Sequence, residues 1–137
     1  MHHRFVVSFA LLSALTVIGC ASRVQPMQGP EEFPVTTGTG KPIAVDKMRE
    51  AITAAGVRRG WVFKDGGPGK LLATYGRRGD QEATVEIAYT AEKVAIHYVS
   101  SNGLRETSAD GQQVIHRNYN RWVRSLKDDI RAELSRY

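Results

Sequence analysis

Cysteine is almost absent from this chain: Cys20 is the only one among 137 residues. A lone thiol excludes an internal disulfide framework and the zinc sites that need several cysteines. Charged residues make up 24% of the chain, which is ordinary for a folded protein, so the composition does not indicate disorder throughout. The length suits one domain of ordinary size.

Long apolar runs are also missing. The apolar stretch at residues 5–18 contains only 14 residues, three of them polar, whereas a membrane-spanning helix needs about 20. A short cationic start that includes Arg4 precedes it. This combination is typical of a secretory signal peptide, which we predict over residues 1–19.

The predicted signal leads into Val17-Ile18-Gly19-Cys20, which resembles the lipobox of bacterial lipoproteins. The resemblance implies cleavage before Cys20, diacylation of its sulfur and acylation of the new amino terminus. The predicted partner is therefore a membrane, bound through that lipid anchor. By the sorting rule of the lipoproteins that it resembles, Ala21 in place of aspartate implies the outer membrane, with the domain on its periplasmic face. An ordinary signal peptide with an incidental cysteine is the alternative.

Residues 20–42 are predicted to be the lipidated cysteine and a flexible linker. Four of the five prolines lie in this segment, and no strand or helix periodicity is visible. Such a linker would span about 26 Å as a coil and about 70 Å fully extended. The remaining residues, 43–137, are predicted to form one periplasmic domain.

The predicted domain opens with a helical pattern, with Asp46 as its N-cap and Gly56 as its C-terminal stop. Four segments of alternating polarity follow, separated by turn residues. A last amphipathic pattern runs from Ile115 to the C-terminus. We therefore expect an α+β fold in two layers: an N-terminal helix, a four-stranded antiparallel meander and a long C-terminal helix, with both helices on one face of the sheet.

The short turn after Tyr89 predicts the register of the last two strands. If Tyr89 pairs with Val94, then Glu86 lies directly opposite His97 on the solvent side. An acid–base dyad is one interpretation of this pair. A surface cross-strand contact is the favoured interpretation.

Two segments resemble a group of small proteobacterial outer-membrane lipoproteins. They are Arg59-Gly60-Trp61 and the Ile-His-x-Asn-Tyr-Asn-x-Trp pattern of residues 115–122. The resemblance implies a fold and an envelope location but no activity. We expect three residues of the second segment to form a structural polar cluster that caps the last helix or ties it to the preceding loop: His116, Asn118 and Asn120.

The charges of the last helix run against the helix dipole. Three arginines lie in its first half, Arg117, Arg121 and Arg124, and the acidic residues come later. The arginines either pair with Glu82 and Glu86 or form a strip that contacts an anionic partner. In the periplasm that partner would be an envelope protein, peptidoglycan or an anionic lipid headgroup, and nucleic acid is not expected.

Taken together, these patterns favour a lipid-anchored, non-enzymatic binding or structural module of the bacterial envelope. The sequence predicts no catalytic, metal-binding or cofactor-binding residues. The alternative hypothesis is a small hydrolase or transferase that uses His97 or His116.

Overall fold

The computed structural model describes residues 23–77 and 79–137. The predicted signal peptide and Cys20 lie outside the described residues. Two helices and two antiparallel sheets form the structure, which confirms the α+β prediction. In chain order the elements are β1 (Val24–Pro26), β2 (Glu31–Pro34), α1 (Val45–Arg59), β3 (Val62–Asp65), β4 (Lys70–Arg77), β5 (Gln81–Tyr89), β6 (Lys93–Asn102), β7 (Thr107–Ala109), β8 (Gln112–His116) and α2 (Arg117–Leu134).

The larger sheet has five strands in the order β2-β6-β5-β4-β3. Its consecutive strands β3 to β6 are antiparallel neighbours and correspond to the four alternating segments of the sequence. The prediction of a four-stranded sheet is nevertheless wrong, because β2 pairs with β6 and adds an edge strand.

The segment predicted as a flexible linker supplies two strands, β1 and β2. Phe33 in β2 is 5% exposed and belongs to the hydrophobic core. The linker prediction is therefore wrong for these strands, and a strand rather than a helix is the first described element. Prolines caused the error: Pro26 and Pro34 lie in edge strands, where the missing amide hydrogen removes no ladder bond that the sheet needs.

The smaller sheet has the order β1-β8-β7. Asp110 and Gly111 connect β7 to β8 with positive φ values of 51° and 74°, as a two-residue hairpin turn requires. This sheet was not predicted, although Asp-Gly is a strong hairpin signal. Strand β8 passes directly into α2, so the sheet fixes where that helix begins.

Helix α1 ends at Arg59, and Gly60 is its C-cap, with a φ of 100° in the left-handed conformation that favours glycine. The predicted stop at Gly56 is wrong: Gly56 lies inside the helix, where a Cβ atom would overlap the ring of Phe63. The predicted N-cap is also wrong, because Ala44 occupies that position without a side-chain bond and Asp46 lies in the first turn.

One face of the large sheet carries the core. In β5 the buried side chains alternate with partly exposed ones, and the buried set is Ala83, Val85, Ile87 and Tyr89. The buried faces of both helices join this cluster, as expected for helices on one side of a sheet. Tyr75 packs between the two tryptophans, with ring centroids 5.2 Å from Trp61 and 5.0 Å from Trp122.

Candidate functional site

Helix α2 begins immediately after β8, and His116 is its N-cap. The His116 Nδ1 atom accepts a hydrogen bond of 3.2 Å from the backbone amide of Asn118. The His116 amide donates to the carbonyl oxygen of Leu104 at 2.7 Å, which places the chain after β6 beside the helix start. No acidic residue lies in the first turn of α2, so the positive end of the helix dipole has no carboxylate there.

Asn118 and Asn120 tie this helix start to other elements. The Asn118 side-chain amide donates to Oε1 of Gln81 at 2.8 Å, at the beginning of β5. Asn120 is buried, donates to the carbonyl oxygen of Pro26 at 3.0 Å and accepts from the amide of Gln28 at 3.1 Å. His116 provides the expected helix cap. Asn118 and Asn120 tie the helix start to β5 and to the segment at the end of β1, rather than to the preceding loop that the sequence suggested.

The arginine strip, Arg117, Arg121 and Arg124, lies on one exposed ridge of α2. Within the described residues none of these arginines forms an ion pair. The alternative that they pair with Glu82 or Glu86 is wrong: Glu86 lies 3.3 Å from Nζ of Lys70.

The acidic second half of α2 faces helix α1. Asp129 pairs with Arg59 through two hydrogen bonds, and Glu133 Oε2 lies 2.5 Å from an amino nitrogen of Arg58. Asp129 and Glu133 therefore have cationic partners in the last turn of α1, which offsets their unfavourable position near the C-terminal end of the helix dipole. Because these pairs are partly exposed, each contributes about 1 kcal/mol or less.

Two further arginines join the strip at the start of α2. The Arg117 amide donates to the carbonyl oxygen of Arg23 at 2.8 Å, and Arg105 directly follows Leu104, the backbone partner of His116. We call Arg23, Arg105, Arg117 and Arg121 the arginine cluster. Burial lowers the pKa of His116, and the positive charges of these four arginines lower it further. The four arginines therefore act together in disfavouring a charged imidazole at this position.

Arg23 and Arg105 were not predicted from the sequence as members of this cluster. They lie 94 and 12 positions before Arg117 in the chain, and backbone contacts bring them together: the end of the β1–β8 ladder and the His116–Leu104 bond. No local pattern in the sequence carries that information.

The Glu86–His97 pair lies at the predicted register. Tyr89 pairs with Val94, and Glu86 lies opposite His97 on the side of the sheet away from the helices. Across the described residues, neither His97 nor His116 is hydrogen-bonded to a carboxylate or a hydroxyl group. The pair has the geometry of a cross-strand contact, with the Glu86 carboxylate beside Lys70.

The parts of the chain that the structure describes contain no group of three or more metal-ligating side chains placed to hold an ion. Neither helix in these residues combines the length and the hydropathy of a membrane-spanning segment. Comparison of the chain with protein-family models, with curated proteins and with solved structures gives no match. The resemblance to small outer-membrane lipoproteins stays a prediction from the sequence segments that carry it.

Proposed function

We propose that this protein is a lipid-anchored, non-enzymatic binding module on the periplasmic face of the outer membrane, related to the small proteobacterial lipoproteins that it resembles. In this proposal, residues 1–19 are the signal peptide and Cys20 carries the lipid. The folded domain contacts an anionic component of the envelope through the arginine strip.

The binding role is supported by the exposure and pairing of the arginines of α2. Arg117, Arg121 and Arg124 are exposed and form no ion pairs among the described residues, whereas both arginines at the end of α1 are paired with acids of α2. Unpaired like charges on one ridge repel one another, so the ridge does not stabilise the fold and is available to an anionic partner.

The test is charge reversal on the intact, membrane-attached protein. We expect Arg117→Glu, Arg121→Glu and Arg124→Glu together to abolish cross-linking of the domain to its envelope component, because attraction becomes repulsion. Reversal of Lys41, Lys64 and Lys93 to glutamate is the matched control and should leave the cross-linked product unchanged. Equal recovery from both triple variants would contradict the binding role.

The alternative enzyme, a hydrolase or transferase that uses His97 or His116, finds no support in the contacts of those residues. General acid–base catalysis needs a histidine that is oriented by a partner and accessible to substrate. His116 is 8% exposed and caps a helix through Nδ1. His97 faces an acid that contacts a lysine instead.

A further inference from the structure

The arginine cluster is close in sequence to the proposed lipid anchor. Arg23 follows Cys20 by three residues, and three peptide units span at most about 11 Å. Arg23 is also the residue whose carbonyl oxygen accepts from the first amide of α2. A lipid on Cys20 would therefore hold the start of α2 close to the membrane surface.

The chain after Arg23 is fixed to the domain. Strand β1 pairs with β8 from Val24 to Pro26, and Asn120 binds both Pro26 and Gln28 through its side-chain amide. These contacts leave no long tether between the anchor and the folded part. The distance from anchor to domain is set by the few residues before Arg23 rather than by the 22-residue linker that the prolines indicated.

The surface at the start of α2, next to the proposed anchor, is basic. All four residues of the arginine cluster are exposed, and in the described chain none of them forms an ion pair. The nearest acidic residue in sequence, Glu106, accepts a hydrogen bond from Gln113 instead. The N-terminus of α2 adds its positive dipole end to the same surface.

From the short connection and the charge of this surface, we propose that the arginine cluster docks the domain on the anionic lipid headgroups of the membrane that holds its anchor. This inference rests on the proposed lipidation of Cys20. The anchor confines the domain to the surface, so even weak headgroup contacts are made at high effective concentration. Guanidinium groups bind phosphate oxygens through two parallel hydrogen bonds, which suits phosphate-bearing headgroups.

The experiment measures arginine accessibility in the lipidated protein. The mature chain, purified from membranes, is reconstituted into vesicles of phosphatidylcholine alone or of phosphatidylcholine mixed equally with phosphatidylglycerol. After flotation, exposed guanidinium groups are modified with phenylglyoxal and located by mass spectrometry. We expect modification of the arginine cluster to slow by about fivefold in the anionic vesicles and to recover when salt is raised.

Two variants locate the contact. Arg117→Glu with Arg121→Glu should remove the protection of Arg23 and Arg105 while preserving the melting temperature. Lys41→Glu with Lys64→Glu changes the net charge equally and should leave the protection intact. Lys41 suits the control because its loop is bound to the chain end beyond α2, through the bond from Thr39 to Tyr137, and α2 is about 27 Å long.

Each other outcome overturns the inference in a distinguishable way. Equal modification in both vesicle types, with the protein floating in both, overturns headgroup docking and leaves the anchor standing. Protection by inorganic phosphate on neutral vesicles, equal to that on anionic vesicles, identifies a small-anion site instead. Failure of the wild-type chain to float with either vesicle overturns the lipid anchor and the docking together.

Discussion

Burial governs the chemistry of His116, whose side chain is 8% exposed at the start of α2. Desolvation disfavours the imidazolium, and the arginine cluster disfavours it further by like-charge repulsion, so the pKa lies below the usual value of about 6.5. Arg117, Arg105, Arg23 and Arg121 are the charges that act on it, in decreasing order. The neutral ring is the form that accepts the amide proton of Asn118.

This shift gives a pH dependence with a definite sign. As pH falls below about 6.5, the unfolded chain binds a proton at this histidine before the folded chain does, so the free energy of unfolding falls until the folded pKa is passed. His116→Asn keeps a side-chain acceptor at the N-cap and should remove the part of the stability loss at low pH that comes from this histidine. Urea unfolding at about pH 8 and pH 5 measures it, with His97→Asn as the control for losing an imidazole elsewhere. If His116→Asn lost as much stability as the wild type at low pH, the pH dependence would not come from His116.

At the scale of elements, the contribution of β2 to stability tests whether the proline-rich segment belongs to the domain. Phe33 packs into the core from this edge strand, and the Val35 amide donates to the backbone carbonyl oxygen of Glu92 just before β6. Phe33→Ala should lower the free energy of unfolding by about 3 kcal/mol, because it removes buried apolar surface and leaves a cavity. Chemical denaturation of the intact chain measures this change.

Glu32→Ala, one position away, supplies the matched control. Glu32 is exposed, and its pair with Lys93 is exposed at both ends, so we expect a loss below about 1 kcal/mol. If Phe33→Ala were no more costly than Glu32→Ala, residues 31–34 would behave as the linker that the prolines suggested.

The parts of the fold that could be read from the sequence are those set by local periodicity. Strands β3 to β6 come from segments in which apolar and polar residues alternate, and short turns join them. Their order and the Glu86–His97 register therefore follow from residues near in sequence. Strands β1 and β2 gain their partners from residues at least 59 positions away in the chain, and their prolines obscure the strand pattern. The arginine strip was visible on one helix, but the arginine cluster required the β1–β8 pairing.

At the scale of the whole molecule, the proposed lipid anchor lies close in the chain to the arginine cluster. The domain does not stand off on a long tether, because its first described strand is bound to β8 and Asn120 close to the proposed lipid site. The lone cysteine, the predicted signal peptide and the arginines that lack ion pairs among the described residues would then have one common explanation: a basic domain held against the membrane. That explanation depends first on the chemistry of Cys20.

The intact mass of the protein purified from membranes tests this claim most directly. We predict a chain that begins at Cys20 and carries a diacylated sulfur and an acylated amino terminus, and we predict that Cys20→Ser abolishes both the added lipid mass and the cleavage before residue 20. A wild-type mass equal to the unmodified chain, or lipid that persists in Cys20→Ser, would contradict the account.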